Sequence, residues 1–256
     1  TVGLVSRTHI VPISHSQDTA GPMTRTVRDA ARVLTAMAGT DPADPTTAEA
    51  DARKTDYVAA LSTNALEGKR IGVMRFADGF GTDAPFEEAL AALRREGAVL
   101  IDIDKYEIPD AMGEAKFTVL LTEFKADLNA YLATLPPQVE TRTLADLIAF
   151  NQAHAERELA LFGQDVFVDA EAAKGLDDPD YIKARETSFR LAGPEGIDRL
   201  LSDYNVVALV GPTMSPAWKI DSVNGDQVPG GGAGSLAAVA GYPHLTVPMG
   251  EAKGLP

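Results

Sequence analysis

The fold is constrained most by a change of hydrophobic period between Lys69 and Ile103. Residues 69–75 (KRIGVMR) read as a short strand. From Asp83 the period becomes helical. Phe86, Leu90 and Leu93 share one face, and Pro85 sits in the first turn, where its missing N–H has no partner to lose. Gly97 ends that helix, and residues 98–103 (AVLIDI) form a second strand. Two strands separated by a helix cannot close a tight hairpin. They pair in parallel through a right-handed crossover, which makes this an α/β chain.

The flanks extend the pattern. Residues 1–7 (TVGLVSR) alternate apolar and polar positions and read as a strand. Val27, Ala30, Ala31, Leu34, Met37 and Ala38 fall on one helical face, opened by Thr26 with Asp29 at capping-box spacing. Phe117, Leu120, Leu121, Phe124, Leu128, Tyr131 and Leu132 make an apolar stripe that stops at Pro136-Pro137. Thr143 caps a helix extending to Phe162, and another starts near Asp178-Pro179 and breaks at Gly193-Pro194. Residues 205–210 (NVVALV) are a continuous apolar run, typical of a strand buried on both faces. A long loop covers residues 211–235, and residues 244–247 are a last strand. No low-complexity linker divides the chain, so one domain is expected over residues 1–256.

Composition narrows the partners. With 23 Lys and Arg against 37 Asp and Glu, the formal charge is −14. Nucleic acid and anionic membranes both require clustered cations, so neither is an expected partner. The apolar runs are too short to span a bilayer. There is no cysteine, which excludes a disulfide scaffold, a thiolate nucleophile and a thiolate metal site. The lack of cysteine and of a targeting pattern points to the cytoplasm.

Motifs for chemistry are sparse. The sequence has no Walker A loop, no His-Glu-x-x-His and no Gly-x-Ser-x-Gly elbow. Residues 232–237 match the letters of a dinucleotide fingerprint, but no strand immediately precedes them. Four scattered histidines suggest no metal site. The loop at 211–235 is the leading candidate site, because open α/β sheets bind ligands beyond the carboxyl ends of their strands. It carries Thr213, Ser215, Trp218, Asp221 and the glycine cluster at 230–235, which lets backbone N–H groups approach an anion or a carbonyl oxygen. The alternative is a mobile surface loop. Ser14, His15 and Asp18 are neighbours in sequence, whereas triad members converge from separate elements. His15 therefore reads as a loop histidine, and Asp18 as an acceptor for turn or helix-start N–H groups.

Residues 1–34 carry the pattern Ile13-Ser14-x-Ser16-x-Asp18-Thr19-x-Gly21-Pro22-Met23, followed by an amphipathic helix and Gly39-x-Asp41-Pro42. This resembles the segment that follows the nucleophile in the amidase signature family. Residues 208–213 (ALVGPT) resemble that family's late core strand, and residues 238–250 (AVAGYPHLTVPMG) the strand after its glycine-rich loop. Residues 122–128 (TEFKADL) and 191–197 (LAGPEGI) are most similar to its peptide-amidase-like branch.

The resemblance implies a mixed central sheet covered by helices on both faces. It implies hydrolysis of a carboxylic or peptide C-terminal amide to acid and ammonia. In the family a Ser attacks the carbonyl, a second Ser on a cis peptide relays protons to a neutral Lys, and backbone N–H groups form the oxyanion hole. No metal or organic cofactor is implied, and the partner is a small-molecule or peptide amide. The Lys and both Ser lie upstream of the segment that opens this chain, so no catalytic residue is assigned here, neither Ser14 nor Ser235. The expectation is a single partial domain, truncated at both ends and inactive alone. Asp18 is expected to support the nucleophile loop, and Thr213, Trp218 and Ser235 to line the substrate cleft. The competing expectation is a non-catalytic amidase-like domain kept for binding or assembly.

Overall fold

The computed structural model describes residues 2–228 and 231–255; Thr1 of the expected first strand and Gly230 of the glycine cluster lie outside the described residues. In chain order the elements are α1 (Val27–Met37), α2 (Ala50–Arg53), β1 (Arg70–Met74), α3 (Asp83–Arg95), β2 (Val99–Ile103), α4 (Asp110–Ala133), α5 (Leu144–Ala153), α6 (Ala155–Glu158), α7 (Asp165–Glu171), α8 (Pro179–Ala192), α9 (Arg199–Asp203), β3 (Ala208–Val210) and α10 (Gly234–Ala240).

The β1–α3–β2 unit forms as its periods predict. The sheet runs β2-β1-β3, and both pairings are parallel, with Gly72 opposite Ile101 on one side and Leu209 on the other. Val73 packs against Phe86 and Leu90 of α3. A Cβ on Gly72 would meet the side chains of Leu209 at 2.8 Å and Ile103 at 2.9 Å, so these flanking side chains leave room for glycine alone. Gly97, at φ +89°, turns the chain out of α3 in a conformation that glycine adopts without strain.

A helical layer forms the rest. α4 packs along α8 and α7, and α10 packs on α8. Met112, Leu191, Ala192, Leu236, Val239 and Ala240 join α4, α8 and α10 in one apolar cluster. Leu128, Leu132, Leu144 and Ala170 join α4, α5 and α7 in another. Local caps behave as read: Thr26 accepts from the Asp29 amide, and Thr143 and Asp146 complete a reciprocal capping box. Among the described residues no helix is long and apolar enough to cross a membrane.

Several expectations need correction. Residues 2–7 are not a strand; they contribute a single antiparallel bridge, Val5 to Ala38. Gly3 at φ +85° breaks the extended run, and its close approach to the Thr46 carbonyl leaves no room for a side chain. β3 is a short edge strand, with Val207 just before it 65% exposed, because only β1 pairs with it among the described residues. Residues 244–247 join no sheet, and Leu245 is 68% exposed. Residues 234–240, read as the end of a loop and the approach to a strand, form α10. The helix begun at Thr143 stops at Ala153, since His154 leaves helical geometry at φ −117°. The α-helix does stop at Gly193-Pro194, but a π-helical turn at Gly193–Asp198 accommodates the missing proline N–H and leads into α9. The three described strands are all parallel, within the α/β amidase fold that the resemblance implied.

Candidate functional site

The loop at 13–18 is built around two carboxylates from different directions. Asp18 Oδ2 accepts the backbone N–H groups of Ile13 at 2.8 Å and Ser14 at 2.9 Å, closing the loop on itself. The other carboxylate is Glu123, on α4 and fully buried. Ser14 Oγ donates to its Oε2 at 2.5 Å. Ser16 donates to the same oxygen twice, from its backbone N at 3.1 Å and its Oγ at 2.8 Å. Tyr181 of α8 donates its hydroxyl to Oε1 at 2.8 Å. Four neutral donors thus replace the water a buried carboxylate loses, and Arg185 Nε stands 4.0 Å from Oε1. Burial and the neighbouring Glu123 charge push the Tyr181 phenol well above its ordinary range.

His15 lies between the carboxylates of α4. Asp127 accepts the His15 backbone N–H at 2.7 Å and faces ring Nδ1 at 3.0 Å, while ring Nε2 lies 3.5 Å from Glu123 Oε1. On the opposite side, Arg7 donates to the His15 carbonyl at 2.5 Å and pairs with Asp44 at 3.0 Å. The His15 ring is held above the ordinary histidine range, first by its bond to Asp127 and then by the Glu123 charge; partial burial and the Arg7 charge act against this. One atom each of His15, Glu123 and Asp127 lies within 4.8 Å of the others, a spacing open to a metal. The ring nitrogens are divided between the two acids, and Arg185 already supplies positive charge, so the arrangement suits a shared proton better than a cation.

The expected site residues fall in two groups. The loop holding Asp18 faces α10: Gln17 and Thr19 line a cleft of about 190 Å³ with Ala237, Ala238, Gly241, Tyr242 and His244. Thr213 belongs to the same corner. Its hydroxyl lies 3.2 Å from that of Thr246, and its carbonyl sits against Gly232, where a Cβ would come within 2.3 Å. Ser235 occupies the first turn of α10, close in sequence to that contact. Trp218 stands apart, donating its indole N–H to Asp226 at 3.0 Å within its own loop. Ser14 is fully buried with its hydroxyl committed to Glu123, which removes it as an exposed nucleophile.

Sequence reasoning passed over Glu123 and Asp127. A signal was present: Ala115, Val119 and Glu123 recur at four-residue spacing on α4 and are all buried, so an acid stands in an apolar stripe. A carboxylate there must find donors elsewhere in the chain.

Comparison with known proteins matches this frame. The Amidase family model matches residues 1–256. A probable amidase of Arabidopsis thaliana is 34% identical over 99% of this chain and 46% of its own length. Among solved structures, the peptide amidase PAM bound to the competitive inhibitor chymostatin superposes with a TM-score of 0.90 at 53% identity, covering 99% of this chain and 52% of that one. The native peptide amidase of Stenotrophomonas maltophilia gives 0.89 at 51% identity, over 99% of this chain and 51% of that one. The chain spans about half the length of the relatives it matches. Family match, fold and sequence agree: this chain belongs to the amidase family, in its peptide-amidase-like branch.

Proposed function

We propose that this chain is the scaffold and part of the substrate cleft of an amidase that hydrolyses a carboxylic or peptide C-terminal amide to acid and ammonia. The observation that carries the reading is the match to a peptide amidase across 99% of the chain at 53% identity. On this reading residues 1–256 are one partial domain. The Ser, the cis-peptide Ser and the Lys of the amidase signature are supplied by sequence preceding Thr1. The Ser attacks the amide carbonyl, ammonia leaves, and water releases the acid from the acyl-enzyme.

The roles of this chain's own residues follow from where they sit. Asp18 holds the 13–18 loop closed through two backbone N–H groups, giving the segment after the nucleophile a fixed course. Thr213 and Ser235 border the cleft beside Gly232 and α10, where an amide substrate meets hydroxyl groups and exposed backbone. Trp218 is the proposed apolar wall contributed by the neighbouring loop, outside the Thr213 corner. The cytoplasm is the proposed compartment, supported by a sequence without cysteine.

The test is ammonia release from a peptide amide. The 256-residue chain alone should release none. The same chain fused to the preceding sequence that carries the Lys and both Ser should turn over, and Thr213→Ala in that fusion should raise KM. Turnover by the 256-residue chain alone, lost on changing Ser14, Ser16 or Ser235, would overturn the assignment.

A further inference from the structure

Glu123 and Asp127 lie one helical turn apart on α4, so both acids face the same loop. The His15 ring is placed so that Nδ1 meets Asp127 at 3.0 Å and Nε2 meets Glu123 at 3.5 Å. A neutral imidazole has one N–H and one lone pair, so it satisfies one of these contacts and sets a lone pair against a carboxylate at the other. Only the imidazolium, with hydrogens on both nitrogens, suits both acids at once.

We propose that His15 is a proton-operated latch: as imidazolium it bridges Asp127 and Glu123 and fastens the 13–18 loop to α4, and loss of its proton loosens that loop and the cleft wall formed by Gln17 and Thr19. The device does not depend on which reaction the complete enzyme performs.

The surrounding charges fit this role. From α4 the ring faces Glu123 and Asp127. From α8, Arg185 and Tyr181 reach Glu123 rather than the ring. From its own segment, Arg7 grips the His15 carbonyl and Asp18 closes the loop behind it. The two acids lie against the ring itself while Arg185 and Arg7 reach Glu123 and the His15 carbonyl, which favours the charged ring, and the direction of its titration agrees. The ring is 43% exposed, so solvent reaches it for proton exchange. The other fasteners, Ser14 and Ser16 on Glu123, do not titrate in this range, so the loop is loosened by deprotonation rather than released outright.

The cleft gives the latch a consequence. Gln17 and Thr19 follow closely on His15 and form one wall, and Ala237, Ala238, Gly241, Tyr242 and His244 form the other. Whatever holds His15 against α4 fixes the position of that wall relative to α10.

The experiment is a titration of the full chain by NMR. It follows the His15 ring carbon–proton signals and the exchange rates of the Ser14, Ser16 and Asp18 amides from about pH 5 to about pH 9. The expected result is a His15 midpoint above the ordinary histidine value. Those amides should exchange roughly tenfold faster above the midpoint than below it, once intrinsic base catalysis is removed. Asp127→Asn should lower the midpoint. His15→Gln should leave exchange fast at every pH while the signals of α4 and α8 keep their positions. A His15 midpoint at or below the ordinary value would overturn the latch. So would protection of those amides that does not change with pH.

Discussion

Two loops carry most of the polar side chains singled out above, and they are held in different ways. The 13–18 loop is tied to α4 and α8 by a buried carboxylate with four donors, to the 44–46 turn by Arg7, and to itself by Asp18. The 218–228 segment is held by its own short-range contacts. Asp221 accepts the amides of Val223 and Asn224 at 2.9 Å each, and Asp226 accepts from Trp218 and the Asp221 amide. Its apolar residues are largely uncovered, with Ile220 and Val223 both 88% exposed. The lesson concerns dielectric and distance. A buried carboxylate binds its donors strongly because water cannot compete for them, and it transmits order between segments far apart in sequence. An exposed Asp closing a turn shares its bonds with solvent and orders little beyond its own neighbours.

The contrast can be broken by substitution, and Glu123→Ala should have the largest effect. It leaves the hydroxyls of Ser14 and Tyr181 without an acceptor in a buried site, and a loss of about 3 kcal/mol or more is expected in urea denaturation. Asp221→Ala, measured alongside, should leave the urea midpoint nearly unchanged. Equal effects from the two would erase the distinction between the loops.

Tyr181→Phe sharpens the same point at a smaller scale. It removes one donor from Glu123 and keeps the ring packed against Val119 and Ala184. The expected loss is about 1–2 kcal/mol. No change in the urea midpoint would show that water already serves that carboxylate oxygen.

Acidity tests the loops without substitution. His15 has a folded-state pKa raised above its unfolded value. Its contribution is therefore complete below the unfolded value and is lost as pH rises through the folded one. Thermal midpoints should fall across that window, modestly because the ring is 43% exposed, and His15→Gln should flatten the fall. The Asp221 and Asp226 carboxyls are held below the ordinary range by the backbone bonds they accept, so their contributions decline only as pH falls toward strongly acid values. A thermal midpoint that rises from neutral to alkaline pH would contradict the assignment to His15.

The smallest effect is local. Asp226→Ala frees the indole N–H of Trp218, the single tryptophan. The urea midpoint should stay nearly unchanged. Fluorescence excited at the red edge, where the six tyrosines hardly absorb, reports this indole and should shift to the red. An unchanged spectrum would mean the Trp218 environment is set by something other than Asp226.

Much of the framework was legible from residues 69–103, because strand and helix periods depend on neighbours a few positions away. The caps at Thr26 and Thr143 were legible for the same reason. The family resemblance rested on residues 13–23 and 238–250, and the comparisons agree with it. The identity of the 13–18 anchor was not legible. Ser14 and Glu123 are 109 positions apart, and nothing local says which helix will bring an acid to that serine. The edge position of β3 escaped too, since an apolar run such as residues 205–210 does not reveal how many strands will flank it.

The sequence by itself determined the parallel β1–α3–β2 unit, the helix caps and the family, since these depend on local period, local hydrogen bonds and contiguous residues. Only the tertiary structure decided that Glu123 is buried, that His15 lies between two acids, and that Gln17 and Thr19 face α10. Burying a charge is feasible only where donors from separate segments converge, and that convergence exists only once α4, α8 and the 13–18 loop have packed together.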